Sequence, residues 1–146
     1  MFRTFAGDGL AFEYPAGWKL ERDDNEGGWD VTVESPAGGF AVVRLARDMP
    51  ETTDMVMSAF ETLKAEYPGL TAKAALETVA GEMAIGHDME FFSLDLANLA
   101  WTRCFFGPAG TVLILCQCSA VDEEEQALRA VVSSMRVEEG EELRTE

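Results

Sequence analysis

Cations are scarce in this chain. Eleven Lys and Arg stand against 27 Asp and Glu among 146 residues, giving a net charge of −16 at neutral pH. A phosphate backbone or an anionic lipid surface is bound by clustered cations, so nucleic-acid and membrane partners are excluded on charge. Long apolar runs are missing too. The longest, Val112-Leu113-Ile114-Leu115-Cys116, falls far short of the roughly 18–20 residues of a membrane span. The opening Met1–Asp8 contains no apolar core of a secretory signal. Three cysteines cannot complete a disulfide framework. Cys116 and Cys118 sit two apart on a strand-like run, where same-face neighbours are roughly 7 Å apart, too far for easy bridging. Reduced thiols and a cytoplasmic location are therefore expected.

What is present is the balance of a globular protein, 47% hydrophobic and 26% charged. A single domain is expected over 1–137, followed by an acidic, frayed tail over 138–146. The first part reads as strands. Leu10–Tyr14 alternates apolar and polar residues and is broken by Pro15-Ala16-Gly17; Trp18–Glu21 alternates again. Arg22–Gly28 reads as an acidic loop, Trp29–Glu34 as a strand with Trp29, Val31 and Val33 on one face. Ser35–Gly39 is a hairpin loop, and Phe40–Leu45 the return strand. Four runs within 46 residues leave no room for crossover helices, so the sheet is antiparallel.

The period then changes. Val56, Phe60, Leu63 and Tyr67 are spaced by four, three and four, one face of a helix over Thr53–Tyr67 capped by Thr52 or Thr53 and ended by Pro68-Gly69. Strands resume at Leu70–Val79, Met83–Leu94, Leu99–Phe106 and Thr111–Ser119. Turns are expected at Ala80-Gly81-Glu82, Leu96-Ala97-Asn98 and Gly107–Gly110. Asp122 is placed to cap a last helix with Glu123, Glu124 and Glu125 in its first turn and Leu128, Val131, Val132 and Met135 as its apolar stripe.

This order, with Phe12-Glu13-Tyr14-Pro15-Ala16-Gly17-Trp18 near the start and Ser134-Met135-Arg136 near the end, resembles the Mog1/PsbP-like superfamily, including the DcrB-like bacterial proteins. The resemblance implies an α+β fold, an α/β/α sandwich with a twisted, mainly antiparallel sheet and helices on its faces. It implies no reaction. Members serve as photosystem accessory subunits, Ran-GTPase-binding factors and chaperones for apolar segments of secreted toxins.

Chemical candidates are few. His87 is the only histidine, and alternation places it in an apolar row with Met83, Ile85, Met89 and Phe91, facing away from Asp88 and Glu90. It reads as a half-buried core residue. Cys116 and Cys118 continue the apolar row of Val112 and Ile114 and read as small hydrophobes, with no second ligand pair for a metal. Asp122–Glu125 lacks EF-hand spacing, and the oxygen-rich Asp23–Gly28 is of a kind common in ordinary turns. No nucleophile elbow or phosphate-binding glycine loop occurs. No catalytic residue, cofactor or metal is therefore expected. The aromatics look too many for two short helices to cover, so the row Leu99, Trp101, Arg103 and Phe105 is expected to line an open apolar groove for a segment of a partner protein. The expected role is a non-enzymatic binding or adaptor domain. A chaperone for an apolar effector segment is the alternative and an enzyme the third reading; a homodimer is left open.

Overall fold

The computed structural model describes residues 1–121 and 123–138. Five strands open the chain: β1 (Phe2–Gly7), β2 (Leu10–Pro15), β3 (Lys19–Asn25), β4 (Gly28–Glu34) and β5 (Phe40–Ala46). Helix α1 (Thr52–Glu66) follows. Next come the meander β6 (Thr71–Val79), β7 (Glu82–Ser93), β8 (Leu96–Phe106) and β9 (Thr111–Ser119), then α2 (Glu125–Ser133) and a short β10 (Arg136–Val137). Seven strands form one antiparallel sheet ordered β3-β4-β5-β9-β8-β7-β6, and β1-β2-β10 form a second, small sheet. Among the described residues, no helix is long and apolar enough to cross a membrane.

The large sheet is covered differently on its two faces. Trp29, Val31 and Val33 of β4, Ala41, Val43 and Leu45 of β5, and Val112, Ile114, Cys116 and Cys118 of β9 share one buried face. The small sheet lies over it through Phe5, Leu10, Phe12 and Tyr14, and α2 through Leu128, Val131 and Val132. Phe5 packs edge-on to Trp29 at 5.3 Å and tilted against Phe12 at 5.2 Å. Full burial of such side chains contributes about 1.5–3 kcal/mol each in transfer free energy, so this layer is the main core. Helix α1 lies on the other face, mainly over β7, β8 and β9. It places Leu63 against Met89 and Phe91, and Val56 against Cys104 and Leu113. Tyr67 stacks on Phe91 at 4.1 Å.

Several local expectations are corrected. β1 is an additional strand, tied to the sheet where Asp8 accepts a hydrogen bond from Trp29 Nε1 at 2.6 Å and pairs with Arg47. Arg22–Asn25 continues β3 instead of looping, because a two-residue turn suffices to bring Gly28 opposite Asn25. Thr52 and Thr53 lie inside α1, whose cap position is Glu51 without a side-chain hydrogen bond. The expected cap of α2, Asp122, lies outside the described residues. Glu124 holds the cap position of that helix and grips the β4–β5 loop, accepting from the Ser35 hydroxyl and, at 3.0 Å, from the Gly39 N–H. Of the 138–146 tail only Glu138 is described, and its N–H donates to Gly9 O at 2.7 Å. The Ser134-Met135-Arg136 ending has a mechanical meaning. Ser134 Oγ accepts from Glu13 N–H at 2.8 Å, Met135 is buried, and Arg136 begins the pairing of β10 with β2.

Candidate functional site

The row expected to line a groove lies on one face of β8, turned toward α2, but most of it is covered. Trp101 is 2% exposed, Phe105 1% and Arg103 4%; Leu99 is half-buried. Trp101 and Phe105 belong to the main core, and the Arg129 guanidinium of α2 sits 4.2 Å from the Trp101 ring while pairing with Glu125 at 2.9 Å. The small β1-β2-β10 sheet takes up the aromatics that seemed to exceed what two helices could bury. What remains beside Leu99 is an open cleft of about 540 Å³ whose rim carries Lys73, Asp88, Glu90, Glu125 and Arg129, a charged surface and not an apolar groove.

Arg103 finds its partners within the chain. Its Nε donates to Glu77 Oε1 at 2.6 Å, Nη2 to Asp88 Oδ1 at 3.0 Å and Nη1 to Thr102 O at 2.7 Å. A buried guanidinium requires such compensation. Gly86 makes the geometry feasible. The β7–β8 ladder pairs Ile85 with Cys104 and resumes at Asp88 with Trp101, leaving Gly86 and His87 out of the paired positions. A Cβ on Gly86 would lie 1.7 Å from Thr102 O. The bare backbone there lets the guanidinium pass over β7 to reach β6. The His87 N–H donates to Thr102 Oγ1 at 3.0 Å instead of to a strand carbonyl.

His87 lies on the α1 face, half-buried, with Phe60 tilted over its ring at 5.1 Å. Its Nδ1 is buried with no hydrogen-bond partner among the described residues. Among the described residues, no carboxylate or thiol is hydrogen-bonded to it. It borders an apolar groove of about 560 Å³ between α1 and β6, edged by Met57, Leu76 and Ile85. Among the described residues, no three of His, Cys, Asp and Glu are arranged to hold a metal ion.

The thiols are buried: Cys116 and Cys118 under α2, Cys104 under α1. Desolvation pushes Cys104 from the ordinary 9.0 to about 12 and raises Cys116 as well. Neither is a nucleophile at neutral pH. Above pH 9.0 the unfolded chain ionises these thiols while the folded chain does not, so the unfolded state binds fewer protons and stability falls at least until the folded Cys104 titrates near 12. Urea midpoints should therefore drop between about pH 8 and about pH 10.5, and Cys104→Ala together with Cys116→Ala should shrink that drop. An equal drop in the double variant would show that other groups cause it.

The feature that sequence reasoning missed is the tip of the β7–β8 hairpin. The expected turn at Leu96–Asn98 lies two residues earlier, at Leu94-Asp95, with Leu96 already opposite Ser93. Both turn residues are left-handed, Leu94 at φ +54° and Asp95 at φ +65°. Two-residue hairpin turns of this kind favour Asn or Gly. The turns Asp8-Gly9 and Ala80-Gly81 each supply a glycine, but this one supplies neither. It also holds its apolar side chains in water: Leu94 is 93% exposed, Phe92 75% and Leu96 52%. One signal was legible. The outward row of β7 is polar at Asp88 and Glu90, then turns apolar at Phe92 and Leu94.

No family model and no curated protein matches the sequence. Solved structures do. LpqN of Mycobacterium tuberculosis, described as involved in cell envelope biogenesis, superposes with a TM-score of 0.58 at 14% identity over 94% of this chain and 90% of its own. The cyanobacterial PsbP (CyanoP) of Synechocystis gives 0.57 at 19%, covering 93% and 92%. PA94 of Pseudomonas aeruginosa, a protein of unknown function described as a putative regulator, gives 0.52 at 13%, covering 91% and 94%. At such identities the likeness concerns the fold alone: a large antiparallel sheet with two helices packed on it, the Mog1/PsbP-like fold.

Proposed function

We propose that this chain is a non-enzymatic protein-binding domain, an adaptor acting in the cytoplasm. The β7–β8 tip is its docking element. The observation that carries the reading is the combination at Leu94: a branched apolar side chain, 93% exposed, held on a left-handed backbone that costs about 1–3 kcal/mol to maintain. Such strain persists where a site needs the geometry. Phe92 and Leu96 flank Leu94 on opposite faces of the hairpin, so the tip is an exposed apolar end, the type of anchor that concentrates binding energy when it enters a pocket. The chain's charge of −16 suits a partner whose pocket is rimmed with Lys and Arg, since opposite fields speed encounter. Cys104 and Cys116, buried and held protonated by desolvation, and a histidine with no carboxylate partner among the described residues support a role without covalent chemistry, and an odd number of cysteines suits a reducing compartment.

The test replaces the tip by an unstrained turn, Leu94→Asn with Asp95→Gly. Thermal stability should rise by about 1 kcal/mol as the strain is relieved. Capture of the partner from host extract by the immobilised protein should be lost, while the exposed control Lys19→Ala retains it. A tip variant that still captures the same partner would refute the reading.

A further inference from the structure

The two edges of the large sheet are unlike. β3 carries five charged residues in seven, Lys19, Glu21, Arg22, Asp23 and Asp24, a composition that discourages pairing with another strand. β6 is a nine-residue edge of small and apolar residues without proline, and among the described residues no strand pairs with its outer side. It carries only two charges, Lys73 and Glu77, four apart on the same face. Glu77 accepts from Arg103 through Oε1, with its side chain still 38% exposed. Lys73 makes no ion pair with the described residues.

We infer that β6 pairs antiparallel with β6 of a second copy, across a two-fold axis through Ala75, to form a homodimer with one continuous sheet. Residues equidistant from Ala75 then face each other. Lys73 lies opposite the partner's Glu77 and Glu77 opposite the partner's Lys73, so the only two charges of the edge form two complementary cross-strand pairs. On the α1 face Leu76, 71% exposed in the monomer, lies against the partner's Ala74. A two-fold operator demands such self-complementarity, and a register shifted by one residue would lose both charge pairs. The inference does not rest on the docking reading. The tips lie near the Thr71 end of each β6 and would project from opposite ends of the dimer.

Edge pairing alone buries little area, so association in the micromolar range is expected. Sedimentation equilibrium near physiological salt, from roughly 10 to 500 µM, should show the mass rising from 16.0 kDa toward twice that value. Lys73→Glu sets like charges opposite each other twice and should weaken association about tenfold or more, with the melting temperature unchanged. Ala75→Cys, whose thiol would meet itself at the axis, should oxidise to a covalent dimer far faster than Thr78→Cys, which would not. A wild-type chain monomeric throughout, a Lys73→Glu chain that associates as well as wild type, or equal crosslinking at the two cysteine positions would each overturn the proposal.

Discussion

Trp101→Ala should destabilise the fold by about 3–5 kcal/mol, the cost of removing a large aromatic from a packed interior and leaving a cavity. The ring is 2% exposed, lies in the main core and carries Arg129 at 4.2 Å on one face. Loss of that cation–π contact adds roughly 0.5–1 kcal/mol. For a domain of this size the melting temperature should fall by roughly 10–20 °C. A variant that melts like wild type would mean the indole is dispensable for folding, and would return Trp101 to the role of an exposed anchor. The experiment thus separates the covered row seen here from the groove expected of Leu99, Trp101, Arg103 and Phe105.

Stranding Arg103 should cost a similar amount by a different route. Glu77→Ala with Asp88→Ala leaves a guanidinium, its side chain only 5% exposed, without either carboxylate. An uncompensated buried charge costs about 3–5 kcal/mol. The converse change is expected to be mild. In Arg103→Met the two carboxylates, 38% and 46% exposed, can hydrate, while the thioether fills the space over Gly86. That variant should lose less than about 1.5 kcal/mol, because the half-exposed carboxylates regain water and no charge is left buried. Urea denaturation of both proteins at low concentration, where β6 is unpaired, checks the asymmetry. Equal losses would show that the carboxylates are themselves held out of reach of water.

Most of the strands were legible because half-buried antiparallel strands alternate. Trp29, Val31 and Val33 announced their face, and all three are fully buried. Val56 and Leu63 likewise announced the inner face of α1. Three things were not legible, each for a physical reason. β1 lies at an edge with most of its side chains in water, so only Phe5 marks an inner face. The turn at Leu94-Asp95 sets a leucine on left-handed backbone and contains no glycine or asparagine, so turn chemistry does not mark it. The fate of Arg103 depended on register, since Glu77 and Asp88 reach it from two different strands and no spacing along one strand shows that. The exposed tip and the covered row are therefore exchanged relative to expectation: the cover of the Leu99–Phe105 row lies at the far ends of the chain.

That cover has a consequence for how the protein is made. β5 pairs on one side with β4, its immediate predecessor, and on the other with β9, with residues 47–110 between them. While the ribosome adds α1 and the next three strands, Phe40–Ala46 has an open edge with Ala41, Val43 and Leu45 bare on one face. The small sheet is completed later still, when Arg136 and Val137 reach Ala11 and Leu10 across almost the whole length of the chain. Loop-closure entropy is lost before such distant pairings return any stability, which slows folding. A nascent chain halted before Thr111 is therefore sticky, and much of its core can consolidate only once nearly all of it has left the ribosome.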